Sequence, residues 1–202
     1  DVDRCEREPE HARRTNAAGT YYTALCCQRA GLPMAYVSTA GVFDGTKDGA
    51  YTEDDVPNPI NVYGATKLEG ERLVQRLLPN SYIVRAGWMI GGGDVDKKFV
   101  RKIIDQIADG ARVLHAVVDK YGTPTYAPDF ARCLVQLLER GYYGTFHMAC
   151  KGGGTRYDVA RCILDFLGRS DVALERVTSD FFAKDYPAPR PRSEVMEIRM
   201  LD

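Results

Sequence analysis

Met34-Ala35-Tyr36-Val37-Ser38-Thr39 is a short apolar run that follows the breaker Gly31-Leu32-Pro33. It reads as a buried strand, too short for a helix and closed by two hydroxyl residues. What lies on either side decides the fold. Upstream, residues 8–29 carry Ala12, Ala17, Tyr21, Leu25 and Cys26 near helical spacing. Downstream come a polar loop with Gly41, Gly45, Gly49 and Pro57, then a second helical pattern that Asn58-Pro59 is expected to open and Pro79-Asn80 to close. Ser81-Tyr82-Ile83-Val84-Arg85 is the next strand. Helix alternating with buried strand predicts an α/β fold with a parallel sheet.

Further along, the spacing predicts helices over 99–108, from about Pro128, and over 157–167, with strands at 113–118 and 145–149. The last stretch, with Pro187, Pro189 and Pro191, reads as mostly irregular.

Composition narrows the function classes. With 202 residues, 45% of them hydrophobic, the chain can bury one sizeable core or a core plus a small lobe. The net charge of −1 comes from 27 basic and 28 acidic residues with no basic stripe, so nothing favours nucleic acid as a partner. No apolar run approaches the roughly 20 residues of a membrane helix, and nothing reads as a signal peptide. Six cysteines without a C-x-x-C pair, four of them in helical patterns, are expected to be reduced, buried thiols of a cytoplasmic protein. His11, His115 and His147 show no metal-ligand spacing.

The second helix carries Tyr63-Gly64-Ala65-Thr66-Lys67. Four-residue spacing puts the phenol and the ammonium on one helix face. A free tyrosine titrates near pH ~10, and a neighbouring ammonium favours the phenolate, so such a pair can tune a proton donor for a carbonyl oxygen. Ser38-Thr39 ends the preceding strand, where active sites of doubly wound sheets form, and a hydroxyl there can bond the same oxygen. The same two residues could equally be an amphipathic pair on a surface helix, and spacing alone does not separate these readings.

Longer motifs do. Ser38-Thr39-Ala40-Gly41-Val42-Phe43-Asp44-Gly45-Thr46, Tyr51-Thr52-Glu53-Asp54 and the run from Pro57 to Glu71 closely resemble the dTDP-4-dehydrorhamnose reductases. So do Asn16-Ala17-Ala18-Gly19-Thr20, Arg85-Ala86-Gly87-Trp88 and the run from Asp119 to Tyr126. These are extended short-chain dehydrogenases that reduce the 4-keto group of a nucleotide-linked sugar.

The resemblance implies a Rossmann-like doubly wound parallel sheet, residues 1–90 and 121–150, with a small substrate-binding lobe from 91–120 and 151–202. It implies Thr39, Tyr63 and Lys67 as the catalytic set, and NADP or NAD as cofactor, held by Ser38, Tyr63, Lys67, Ala86 and Gly87. Trp88, Tyr121, Gly122, Thr123, Pro124 and Thr125 would contact a nucleotide-sugar substrate. For Trp88 a plain core role stays open, and for the 121–125 turn a structural one. A homodimer is the assembly to test.

Two departures from the pattern matter. The reductases follow the catalytic threonine with Asp-Tyr, and related dehydratases with an Asp-Glu acid–base pair; here Ala40-Gly41 follows. Dehydration is therefore disfavoured, while ketone reduction needs only the phenol, a hydroxyl and a hydride. The family also begins with a glycine-rich pyrophosphate turn, which Gly91-Gly92-Gly93 does not replace. Roughly 60–70 residues, about two βα units, are expected to precede this chain, and the chain alone is expected to be inactive. A non-catalytic homologue that binds a partner enzyme, and a nucleotide-sugar epimerase, are the alternative readings.

Overall fold

The first helices form where local chemistry favours them. The computed structural model describes residues 1–96 and 98–200. Asp1 accepts the Arg4 amide and caps α1 (Val2–Arg7), and Pro9 sits in the first turn of α2 (Pro9–Arg13), where its missing N–H costs nothing. Arg14–Ala18 widens into a π-turn and runs unbroken into α3 (Gly19–Ala30), which Gly31 ends at φ 66°, a conformation that favours glycine. β1 (Met34–Thr39) follows as expected.

The second long helix, α4 (Val62–Leu77), starts later than the sequence reading placed it. Asn61 is extended and its side chain accepts the Gly64 amide at 2.8 Å, so Asn61 is the cap. Asn58 stays in the loop, donating to Asp44 at 3.0 Å.

Beyond α4 come β2 (Ser81–Ala86), β3 (Trp88–Ile90), α5 (Phe99–Ala108), β4 (Val113–Val117), β5 (Tyr121–Gly122), β6 (Pro124–Tyr126) and α6 (Ala127–Arg140). Then follow β7 (Gly144–Met148), β8 (Gly154–Thr155), α7 (Arg156–Phe166), β9 (Ala173–Val177) and β10 (Ser193–Glu194). A capping box between Thr155 and Asp158 opens α7. β9 falls in the stretch expected to be irregular. Ala173-Leu174-Glu175-Arg176-Val177 is largely exposed, so it lacks the apolar run by which a strand is recognised, and pairing with β4 makes it one.

β1, β2 and β7 form a parallel sheet in that order, with Val37 opposite Val84 and Val84 opposite Phe146. β2 is central and buried along its length. Alternation along the strands sends Tyr36 and Ile83 towards α3 and α4, where they meet Ala24, Val74 and Leu78. Tyr82, Val84, Ala86, Phe146 and Met148 face the other way, onto Phe130 and Leu137 of α6. Helices thus cover both faces, the doubly wound arrangement. A separate apolar core joins α5, α7 and β4 through Ile103, Ile107, Leu114, Ala116, Ala160, Leu164 and Val172, with Leu174 of β9 packed against it.

The C-terminal segment ties these parts together. β10 pairs with β5, Tyr51 exchanges backbone hydrogen bonds with Val195 and Glu197, and the Met196 amide donates to the Thr123 hydroxyl. The six cysteines are free thiols, but none is buried: Cys26, Cys133, Cys150 and Cys162 are exposed, Cys5 and Cys27 partly so. Cys27 packs against the core between α3 and α4 but stays partly exposed, and Cys26, Cys133 and Cys162 are exposed, which corrects the expectation of buried thiols. Among the described residues, no helix is long and apolar enough to cross a membrane.

Candidate active site

Two glycines and a cap bring the reactive groups together. Thr39, at the C-terminal end of β1, accepts the Gly41 amide at 3.1 Å and so caps the 3-10 turn Ala40–Val42. Any Cβ on Gly64 would lie 2.1 Å from the Gly41 carbonyl oxygen and 2.9 Å from Pro59. Only glycine there lets the first turn of α4 rest on the turn that follows Thr39. Gly70 does the same further along, where a Cβ would lie 2.3 Å from the Tyr36 hydroxyl.

Tyr63 is thereby drawn against Thr39. Burial pushes its phenol above the usual tyrosine value, a hydrogen bond with the Thr39 side chain pulls it down, and the Glu194 charge pushes it up. The expected lowering by Lys67 is not found in this arrangement. Its ammonium donates to the Val37 carbonyl at 2.8 Å and lies 4.0 Å from the centre of the Tyr36 ring. Burial lowers Lys67 to about 8, against a smaller upward pull from Glu71. Beside it, the buried Ser38 hydroxyl has no hydrogen-bond partner.

An orphaned hydroxyl and a half-buried ammonium at the end of β1 suit a polyhydroxylated ligand edge, so these residues fit the nicotinamide-ribose end of a dinucleotide. Among the described residues, no group of three or more His, Cys, Asp or Glu is arranged to hold a metal ion.

Ala86 belongs to the sheet core, and Gly87 has no room for a side chain, since its Cβ would lie 2.2 Å from the Thr123 carbonyl oxygen. Thr123 and Thr125 are buried; Thr123 accepts the Trp88 amide through its carbonyl and the Met196 amide through its hydroxyl. Pro124 accepts the Cys150 amide, and Tyr121 is exposed.

Trp88 is partly buried, with Gly122 against its ring, where a Cβ would lie 2.1 Å from Cε2. The Arg156 guanidinium stacks 3.7 Å from its ring centre, and the indole N–H donates to Glu194 Oε2 at 2.9 Å. Burial lowers Arg156 to about 10, while Glu194 pulls it up. Burial raises the Glu194 carboxyl, opposed by Trp88, Arg156, Arg190 and Lys120.

The profile of the RmlD substrate binding domain matches residues 1–202, the full length. The chain belongs to the RmlD substrate-binding-domain family. It is 35% identical over 197 residues to a dTDP-4-dehydrorhamnose reductase of Mycolicibacterium smegmatis, covering 96% of this chain and 59% of that protein. A dTDP-4-dehydrorhamnose reductase structure from Yersinia enterocolitica superposes with a TM-score of 0.92 at 40% identity, covering 98% of this chain and 68% of that one. The Bacillus anthracis reductase in complex with NADP gives 0.93 at 31% identity, covering 100% and 69%. This chain therefore spans roughly three-fifths to two-thirds of the proteins it matches, and it shares their Rossmann-type fold.

Within this RmlD-family chain the structure joins Thr39, Tyr63 and Ser38 at one strand end, and Trp88 with Gly122 at another. Glu194 and Arg156, which link the two groups, were missed by the sequence reading. Glu194 lies in the stretch read as irregular, and only its pairing with β5 brings it inward.

Proposed function

We propose that this RmlD-family chain carries the catalytic and sugar-binding residues of an NAD(P)H-dependent reductase. Its substrate would be the 4-keto group of a nucleotide-linked deoxysugar, of the dTDP-4-dehydrorhamnose type. The observation that supports it most is the half-buried Tyr63 side chain, whose phenol interacts with Thr39 at the C-terminal end of a parallel strand. The phenol is protonated at neutral pH and so has a proton to give to a carbonyl oxygen, and a positive charge brought close by a bound cofactor would lower its raised pKa towards the range of an effective donor. Thr39 would bond the same oxygen and hold the carbonyl in place.

The bound nicotinamide supplies the hydride. Lys67 and Ser38 would hold its ribose and carboxamide end, with Tyr63, Ala86 and Gly87 alongside. Trp88 and residues 121–125 would border the sugar. Ala40 and Gly41 leave the dehydratase's acid–base pair absent from its usual place, which supports reduction over elimination.

On this reading residues 1–90 and 121–150 form the dinucleotide-binding part and 91–120 and 151–202 the sugar-binding lobe, in a cytoplasmic enzyme; the separate core around β4 supports the division and the free thiols the location. The test is Tyr63→Phe in the intact protein, assayed as NAD(P)H oxidation against 4-keto nucleotide sugars. Turnover should fall about 100-fold or more with substrate affinity nearly kept. Near-normal turnover would remove Tyr63 from catalysis and favour a binding role for the chain.

A further inference from the structure

Gly41 leaves a space beside the catalytic threonine, and a carboxylate from far along the chain fills part of it. Thr39 Oγ1 and Glu194 Oε1 each lie 3.4 Å from the point where a Cβ on Gly41 would stand. In the reductases this sequence resembles, a tyrosine side chain would start from that point. The other carboxylate oxygen, Oε2, is fixed by the Trp88 indole at 2.9 Å. Arg156 lies across the same indole, and the positive charges of Arg156, Arg190 and Lys120 all act on the carboxylate. Its placement depends on β10, whose partner strand β5 contributes Gly122, the residue that makes room for the Trp88 ring.

We propose that Glu194 is a specificity-determining residue of the sugar site: Trp88 anchors one carboxylate oxygen, and the other accepts a hydrogen bond from the hydroxyl on the carbon next to the carbonyl held by Thr39 and Tyr63. This inference rests on the reductase reading and names a contact within it. An ionised carboxylate only accepts hydrogen bonds, and a sugar ring offers hydroxyl donors. Oε1 borders the same point beside Gly41 as the threonine that would hold the carbonyl, so the donor it would meet belongs to an adjacent ring carbon. The anchoring Trp88 and the cation behind it fix the carboxylate before the sugar arrives, which strengthens the contact.

The experiment compares a 4-keto-6-deoxy nucleotide sugar with its 3-deoxy counterpart, on the wild type and Glu194→Gln, in the intact protein. The wild type should prefer the 3-hydroxy substrate about 10- to 100-fold in kcat/KM, the worth of a hydrogen bond to a charged group. Glu194→Gln keeps an acceptor for Trp88 and should erase most of that preference by losses on the 3-hydroxy substrate alone. Equal losses on both substrates would mean that Glu194 only positions Trp88, and no wild-type preference would also overturn the proposal.

Trp88 is the single tryptophan of residues 1–202, and the change in its fluorescence reports binding without turnover. Should the wild type reduce neither sugar, the reductase reading fails on its own. The same pair of ligands titrated by fluorescence still decides for Glu194, and failure of both to bind, or equal binding of both, would count against it.

Discussion

The layer around β2 and the layer around β4 are built from the same parts, parallel strands covered by helices, and they differ in what they enclose. Around β4 the core is wholly apolar, closed by residues such as Ile103, Leu114, Ala160 and Leu164. Around β2 the chain buries Arg85 against Glu71 through two hydrogen bonds of 3.0 and 2.8 Å, with Phe43 beneath the guanidinium. It also buries His147, whose ring burial holds below the usual histidine value. The four buried side-chain atoms without a partner among the described residues, on Ser38, Glu53, Arg85 and His147, all lie in this layer. Buried polar groups cost stability unless they are satisfied, so they collect where a ligand or a fixed geometry needs them. On the proposed reading the layer around β2 would carry the chemistry, while the layer around β4 is a plain apolar core.

The most severe way to test the contrast is to open the buried ion pair. Glu71→Ala would leave the Arg85 guanidinium buried and uncompensated, and should destabilise the protein by about 3–5 kcal/mol in denaturant unfolding. Replacing both partners, Glu71→Leu with Arg85→Met, should recover most of that loss, because the cost lies in the stranded charge. A double variant as unstable as the single one would show that the pair organises α4 on β2 in some way packing cannot replace.

A smaller effect is expected from Leu164→Ala in the other layer, about 3 kcal/mol from lost burial plus the cavity left behind. Hydrogen exchange sharpens the comparison. Faster exchange should be confined to β4, α5 and α7, with β2 and its neighbours protected as before. Equal acceleration in β2 would mean that the two cores unfold as one unit.

How much of this could be read beforehand follows the same divide. β1, β2 and α5 were legible because an apolar run between breakers, or a clean helical period, is a local signal. So was the Tyr63–Lys67 helix, although its start was misplaced: Pro59 is a strong local cue, and the cap at Asn61 is decided by which side chain can reach the Gly64 amide. β9 was invisible because its residues are mostly exposed, and its identity comes from β4. Glu194 was invisible for a related reason. Its proposed role depends on Gly41, Trp88 and Arg156, which are brought together only by the fold. Site residues carried by one element can be read from sequence, whereas those assembled from several elements need the packed chain.

Lys67 offers the finest test, since it stands where the charged layer meets the site. Burial lowers its ammonium from an ordinary 10.5 to about 8, so the folded chain binds this proton less tightly than the unfolded chain. Below pH 8 both states hold the proton, and the folded state bears the whole burial cost. Between about 8 and 10.5 the folded chain releases it first, so the Lys67 contribution to stability rises with pH across that window and is level above it. Replacing Lys67 with Met should therefore raise the melting temperature at pH 7, by an amount that shrinks as pH approaches 10. Reductive 13C-methylation gives the direct reading: the Lys67 methyl resonance should titrate with a midpoint near 8, against about 10.4 for a free lysine. A midpoint near 10 would mean that the Val37 carbonyl and the Tyr36 ring hold the charge well enough to offset its burial, and the electrostatic contrast between the two layers would then stop short of the site.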